Sequence, residues 1–146
     1  MQGNGQRGLV DFLVESDPPN RRYTMIEFKN IQIDYLDLRG DSRADKAEQL
    51  VAMSWPQILK LRIIRSNYHP NTIEEWLEGQ IHEQLRSYVT SPTVRAESIG
   101  KNFRAYAVVI IGSRHILIRE MDNNGEWKGD SRLVGRDERI VKGVVL

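Results

Sequence analysis

The sequence has no cysteine, and its 146 residues include only five prolines and three histidines. The absence of cysteine excludes disulfide bonds, thiolate zinc sites, iron–sulfur clusters and a cysteine nucleophile. The longest apolar runs, at residues 105–112 and 115–118, are far shorter than the ~20 residues that a membrane-spanning helix needs. The first residues include no apolar stretch typical of a signal peptide. We therefore expect no membrane partner and an intracellular location, the nucleus included.

The sequence also lacks an excess of charge of either sign. It has 21 Lys and Arg against 20 Asp and Glu, a net charge of +1. Such a balance gives no bulk attraction to nucleic acid, so a nucleic-acid partner would have to bind through a local patch. The length suits one domain with its own core, and 40% hydrophobic with 28% charged residues is typical of globular proteins. We expect one domain over residues 1–146, cut from a longer chain.

The first structural signal is a β-hairpin near the N-terminus. Residues 9–15 and 23–29 are both rich in strand-forming side chains. Between them, residues 17–20 include two consecutive prolines, which cannot continue a strand ladder and favour a turn. The spacing predicts two antiparallel strands joined by a short loop.

The segment after the hairpin carries weaker signals. Residues 44–53 predict a helix that begins near Ser42 or Asp45. Pro56 favours a break in the chain, and residues 57–64 are compatible with either a helix or a strand.

The clearest helix follows. Asn71 or Thr72 can cap its start, with a glutamate three residues further on as a capping box requires. Ser91 and Pro92 predict its end. Its apolar residues recur at helical spacing and form one stripe: Ile73, Trp76, Leu77, Ile81, Leu85, Tyr88 and Val89.

Two further strands come after this helix. Residues 103–111 are almost continuously apolar, as expected for a strand covered on both faces, and residues 115–120 form the return strand after a turn at 112–114. After residues 122–125 the sequence is polar apart from Trp127 and a last apolar run at residues 140–146. The order of elements predicts an α/β fold with a mixed central β-sheet and flanking helices.

Charged residues lie within the two predicted strands of the hairpin. Alternate side chains of a strand share a face, so Glu27 and Lys29 lie on the same face. If Ser16 pairs with Arg22, Asp11 lies directly opposite Glu27, with the two Cβ atoms about 5 Å apart. Two carboxylates so placed repel each other, and a divalent cation between them would remove that cost.

These residue types suit one kind of chemistry. Mg²⁺ binds through one or two carboxylates together with water and substrate phosphate. The ion lowers the pKa of a bound water and neutralises charge on a reacting phosphodiester. A lysine beside that water would orient it. The constellation therefore predicts metal-assisted phosphodiester hydrolysis.

The same residues carry a family resemblance. Asp11 followed 16 positions later by Glu27-Phe28-Lys29, on a β-hairpin, resembles the PD-(D/E)XK nuclease superfamily. Gln84 and Tyr88 on the long helix look like the Gln-x-x-x-Tyr element of one subgroup. Over residues 8–121 the sequence is similar to nuclease-like domains that follow ATPase-like modules in fungal and crinkler-type effector proteins.

The resemblance implies a restriction-endonuclease-like core and a role for each matched residue. Asp11 and Glu27 would be metal ligands for Mg²⁺ or Mn²⁺, with the main-chain carbonyl of Phe28 as a third. Lys29 would position the attacking water, and Gln84 would contact water or phosphate. The implied function is a metal-dependent endonuclease that hydrolyses DNA, with an ATPase-like module as a partner in the parent chain.

Two departures from the family pattern support other interpretations. Val10 stands where the family often has proline, and no segment corresponds to the family's first helix. The second hypothesis is therefore an inactive nuclease-fold module that binds nucleic acid or protein. A third is a structural α/β domain whose charges are incidental.

The remaining polar residues give no second motif. The three histidines share no spacing that suggests a site. Seven basic residues between positions 60 and 115 either contact phosphates or belong to an ordinary solvated surface: Arg62, Arg65, Arg86, Arg95, Lys101, Arg104 and Arg114.

Overall fold

The computed structural model describes residues 12–15, 21–64 and 71–135, which build one five-stranded mixed sheet. The strands lie side by side in chain order; β2 and β3 are parallel, and every other neighbouring pair is antiparallel. The predicted α/β fold with a mixed sheet is thus confirmed. The strands are β1 (Phe12–Glu15), β2 (Arg22–Ile31), β3 (Asn102–Ile111), β4 (His115–Met121) and β5 (Trp127–Gly135).

The described helices all lie in the connection between β2 and β3 and contribute side chains to one face of the sheet. Among the described residues, no helix combines the length and apolar character that crossing a membrane would require. The helical elements are a 3₁₀ turn (Ile33–Tyr35), α1 (Arg43–Val51), α2 (Trp55–Leu59), α3 (Ile73–Trp76), a π-helical turn (Leu77–Ile81), α4 (His82–Val89) and α5 (Pro92–Glu97).

Two of the predicted helix starts are confirmed at their caps. The Ser42 hydroxyl accepts a hydrogen bond from the backbone N–H of Asp45 at 3.1 Å, so Ser42 is the N-cap of α1. Thr72 caps α3 in the same way through the N–H of Glu75. Each cap satisfies one of the N–H groups that the first helical turn leaves without an intrahelical partner.

Two prolines mark the end of one helix, as predicted, and also the start of the next. Pro56 and Pro92 do follow the ends of helices, but each also stands in the first turn of a new one, behind the N-caps Ser54 and Ser91. Proline is tolerated there because its missing N–H would have no helical acceptor. Residues 57–64 accordingly complete the short helix α2 and then form isolated bridges.

A fifth strand that the sequence did not indicate, β5, occupies residues 127–135. It pairs antiparallel with β4, with a register irregularity between Ile118 and Glu120. The stretch is polar and contains Gly129, so its sequence lacks the apolar alternation of a strand. Backbone pairing with β4 decides its conformation.

The main core lies between the helices and one face of the sheet. That face includes Tyr23, Met25 and Ile31 of β2, and Trp76 packs into the same cluster at 2% exposure, as predicted. The opposite face carries a smaller cluster of buried side chains: Ile26, Tyr106, Val108 and Ile118.

The long predicted helix contains one irregular turn. The backbone changes from α to π spacing at Leu77–Ile81 and returns to α at His82. Gly79 stands in this turn, and a Cβ built on it would meet no atom within 4 Å. Single π turns inside α-helices often occur at functional sites.

The β3–β4 turn has a strict requirement for glycine. Gly112 has a φ of +57°, and a Cβ built there would lie 2.5 Å from Cδ2 of Leu50 on α1. Its N–H donates to the carbonyl of Ile31 at 2.8 Å, which joins the turn to the end of β2.

We predict opposite effects from alanine at the two glycines. Gly112→Ala should destabilise the fold by about 1–3 kcal/mol, because a left-handed alanine is strained and its Cβ displaces Leu50. Gly79→Ala should stabilise it by about 0.5–1 kcal/mol through helix propensity. Urea unfolding followed by circular dichroism measures both changes. A loss of stability in both variants would contradict the open space around Gly79.

Candidate active site

The hairpin has the register that the sequence prediction used. Phe12 pairs with Ile26, and the pairing continues to Glu15 with Tyr23, so the two numbers of each pair add up to 38. A pairing of Ser16 with Arg22, or of Asp11 with Glu27, has the same sum. Asp11 and Ser16 themselves lie outside the described residues.

Glu27 and Lys29 lie on the helix-covered face of β2. Met25 and Ile31, on the same face, belong to the main core. Glu27 is 2% exposed and is the most deeply buried charged residue of the described chain. The Nζ of Lys29 lies 3.1 Å from Oε2 of Glu27, and 23% of the lysine side chain is exposed. The sequence was thus right that both groups share one face.

The burial of the Glu27 carboxylate is energetically unfavourable by itself. Moving a carboxylate out of water costs several kcal/mol even after the protein relaxes, unless a partner compensates. Lys29 supplies a compensating charge, and its exposed part connects the pair to solvent. The carboxylate therefore lies at the margin of the core, where a small ligand from solvent can reach the ammonium beside it.

Phe28 points to the other face of β2, where its side chain is 42% exposed. Its predicted contribution is a main-chain carbonyl, which is independent of the side chain. Among the described residues there is no group of three His, Cys, Asp or Glu that could hold a metal ion. The residues described around Glu27 therefore do not form a metal site without Asp11.

Small side chains make room next to the buried pair. Glu27 is in register with Ala107 of β3, and Met25 with Ala105. Both alanines are fully buried under the helices. A methyl group at these positions lets the helical layer approach β3 closely while the longer Glu27 and Lys29 side chains fill the neighbouring space.

Gln84 lies on helix α4, away from the side that carries His82. His82 contacts the ring of Trp127 on β5 with 5.1 Å between ring centroids. Gln84 is two residues further on, about 200° around the helix, while Leu85 faces the sheet and is fully buried. The Oε1 atom of Gln84 is buried and has no hydrogen-bond partner among the described residues.

Tyr88, the second residue of the Gln-x-x-x-Tyr pair, is 5% exposed and belongs to the main core. It is one helical turn beyond Gln84, so the two residues lie on the same side of α4. Both residues therefore lie on the side of α4 away from His82.

A second charged cluster lies across the sheet at the level of Glu27, and sequence reasoning missed it. Arg119 of β4 is in register with Ala107 and donates to Glu78 at 3.1 Å. The Trp127 indole N–H donates to the same carboxylate at 2.9 Å, and the Arg119 guanidinium stacks over the Trp127 ring at 5.0 Å. The signal that could have indicated it is that Arg119 shares a strand face with the apolar residues Leu117 and Met121, both of which are fully buried.

This cluster also accounts for the position of the π turn. Glu78, within that turn, is anchored from β4 and β5 at once. His82, predicted to be a surface residue, is half-buried against Trp127. The contacts anchor the start of α4 to β4 and β5.

Some of the basic residues that could have contacted phosphate are engaged in ion pairs. Lys101 is paired with Glu15 at 2.8 Å, and Arg104 with Glu120 at 3.3 Å. Arg65 lies outside the described residues. Arg95 donates to a backbone carbonyl, and Arg114 lies in the β3–β4 turn.

We predict that the Lys29–Glu27 pair contributes more to stability than the Lys101–Glu15 pair. Lys29→Met should cost about 2 kcal/mol, because it leaves a buried carboxylate without its ammonium. Lys101→Met should cost about 1 kcal/mol or less, because Glu15 is 39% exposed. Urea unfolding at neutral pH measures both. The double variant Glu27→Gln/Lys29→Met should recover part of the loss, and equal losses at the two lysines would contradict the assignment.

Comparison with protein-family models, curated proteins and solved structures found no match to this chain. Neither a family nor a function is therefore assigned by similarity. The geometry around Glu27, Lys29 and Gln84 is the basis on which a function can be proposed.

Proposed function

We propose that this chain is a metal-dependent nuclease domain that hydrolyses phosphodiester bonds of DNA, with its active site at Glu27 and Lys29. The observation that carries the proposal is the nearly complete burial of Glu27, 2% exposed, with the Lys29 ammonium 3.1 Å from its carboxylate. Burying a carboxylate is costly unless it is paired, and buried, charge-paired carboxylates at the margin of a core are candidates for functional sites.

The topology around the pair supports the proposal. The acid and the lysine lie on β2, which is antiparallel to β1 and parallel to β3 after a helical crossover. The resemblance to the PD-(D/E)XK superfamily implies this arrangement of its Glu-x-Lys strand. With the register of β1 continued by one residue, Asp11 would face Glu27 across the hairpin.

Each residue has a role in the proposed reaction. Asp11, Glu27 and the carbonyl of Phe28 would hold Mg²⁺ or Mn²⁺, which lowers the pKa of a bound water and neutralises charge on the phosphodiester. Lys29, whose Nζ is 3.1 Å from the Glu27 carboxylate, would orient that water for attack. Gln84 would supply a carbonyl oxygen from α4 to the water or to the substrate.

We predict that removal of the pair abolishes cleavage. Glu27→Gln and Lys29→Met should each reduce Mg²⁺-dependent cleavage of plasmid DNA by about a hundredfold or more, the effect typical of losing a positioned acid–base group. Asp11→Asn should have the same effect. Agarose gels with Mg²⁺ or Mn²⁺, and EDTA as a blank, measure the rate.

Glu15→Gln and Lys101→Met are the matched controls, because they disrupt a second ion pair that also joins a strand glutamate to a lysine. Both should keep cleavage within about twofold, the effect of a surface pair. Cleavage by Lys29→Met at the wild-type rate, in protein shown to be folded, would remove the nuclease proposal.

We predict a separation of stability from activity at Gln84. The Gln84→Met variant removes a buried oxygen that has no partner among the described residues, so the free energy of unfolding should stay equal or rise by about 1 kcal/mol. Cleavage should fall by about tenfold or more if that oxygen contacts water or substrate. A stable variant with full activity would show that Gln84 has no role in the reaction.

One observation favours a second function, an inactive nuclease-fold module that binds nucleic acid or protein within an ATPase-like or effector protein. Lys29 already neutralises Glu27 directly, and the described residues contain no three-ligand group. Calorimetric titration with Mn²⁺ separates the two functions. A nuclease should bind the ion at millimolar concentration or below, whereas the binding module should retain DNA or protein binding with no metal-dependent heat.

A further inference from the structure

A polar cleft of about 330 Å³ lies at the end of the sheet where β2 and β3 terminate. Asn30 and Gln32 line it from the end of β2, and Ser113 and Arg114 from the β3–β4 turn. Arg43, the first residue of α1, lines it from the helical layer. In open α/β sheets, the carboxyl ends of adjacent parallel strands are where ligands bind.

The charged residues of the cleft favour a negatively charged ligand. Arg43 and Arg114 provide two guanidinium groups, and none of the described residues that line the cleft is acidic. Asp34, outside the lining, accepts from Nη2 of Arg43 at 2.8 Å. This hydrogen bond raises the pKa of Arg43, so its guanidinium stays charged. It occupies one N–H donor of the guanidinium, and the other donors can bind a ligand.

The neutral groups of the cleft suit an oxyanion. Asn30 and Gln32 are exposed amides, and Ser113 adds a hydroxyl. Ser113 has a φ of +57°, a left-handed conformation that is uncommon for residues other than glycine, asparagine and aspartate. The tight turn thus contributes both a hydroxyl and a guanidinium to the lining, and Nη1 of Arg114 donates to the backbone carbonyl of Ser113 at 3.3 Å.

We propose that this cleft binds a phosphate group, held by Arg43 and Arg114 and by the polar side chains between them. Guanidinium groups match phosphate oxygens in pairs, and amides and hydroxyls fill the remaining acceptor positions. The phosphate belongs either to a nucleic-acid backbone or to a free nucleotide, and both present the same group to the cleft. The inference does not depend on the proposed nuclease activity.

The test is an NMR titration of the ¹⁵N-labelled full chain in EDTA, with inorganic phosphate, a nucleoside 5′-monophosphate and a short DNA duplex in separate arms. Saturable shifts should be concentrated at residues 30–32, 43 and 112–114. Tighter binding of the duplex than of the nucleotide identifies a backbone phosphate, and the reverse order identifies a free nucleotide. No saturable shift at these residues with any of the three probes would overturn the proposal.

Two matched pairs of variants make the test specific to the cleft. Ser113→Asp and Ser113→Asn have the same shape and both tolerate the left-handed turn, but only aspartate adds a negative charge. Ser113→Asp should weaken phosphate binding by about tenfold or more relative to Ser113→Asn, the effect of opposing one charge-assisted hydrogen bond.

Arg114→Gln should weaken binding by a similar factor, whereas Arg95→Gln removes the same charge from α5, before the amino end of β3, and should leave binding unchanged. Equal affinities within the Ser113 pair, or equal losses at the two arginines, would show that phosphate is attracted by overall charge alone and would overturn the proposal. Because the titration is run in EDTA and follows phosphate binding rather than cleavage, failure of the nuclease proposal leaves this result intact.

Discussion

The ion pair between Lys29 and Glu27 is the constraint around which the helix-covered face of the sheet is arranged. A carboxylate at 2% exposure needs a permanent counter-charge, and β2 supplies it two residues further along the same face. Because both side chains are long, the neighbouring positions must be short, and Ala107 lies in register with the acid. Helix α4 can then cover the sheet while the lysine end of the pair stays in contact with solvent.

Much of the fold could be predicted because its signals are local. The hairpin, the turn at Gly112, and the caps Ser42 and Thr72 each depend on a few consecutive residues, and the structure has all of them. What could not be predicted depends on distant partners. Strand β5 has a polar sequence and is defined by its pairing with β4. The π turn exists where Glu78 meets Arg119 and Trp127, which follow it by some 40 to 50 residues.

In the candidate site, too, the sequence predicts the local features but not those that depend on distant parts of the chain. Strand parity places Glu27 and Lys29 on one face from sequence alone, but it cannot decide which face the helices cover. An exposed Glu–Lys pair contributes little to stability, whereas the same pair under a helical layer is costly to break. The spacing of Gln84 and Tyr88 likewise predicted a common helix side, but not that the amide oxygen of Gln84 would be buried. Burial depends on the tertiary structure, and it is the burial of these side chains that makes them candidates for a functional site.

The acid pair and the cleft at the carboxyl ends of β2 and β3 are connected by one rigid strand. Lys29 belongs to the first and Asn30, the next residue, to the second, and the two side chains point to opposite faces of β2. Parallel pairing with β3 fixes both residues, since Lys29 and Asn30 are in register with Val109 and Ile110. A ligand in the cleft would therefore contact Asn30, and the residue before it, Lys29, is already paired with the buried Glu27 carboxylate. Because the strand cannot shift by one residue without exchanging its faces, the ion pair and the cleft keep a constant separation.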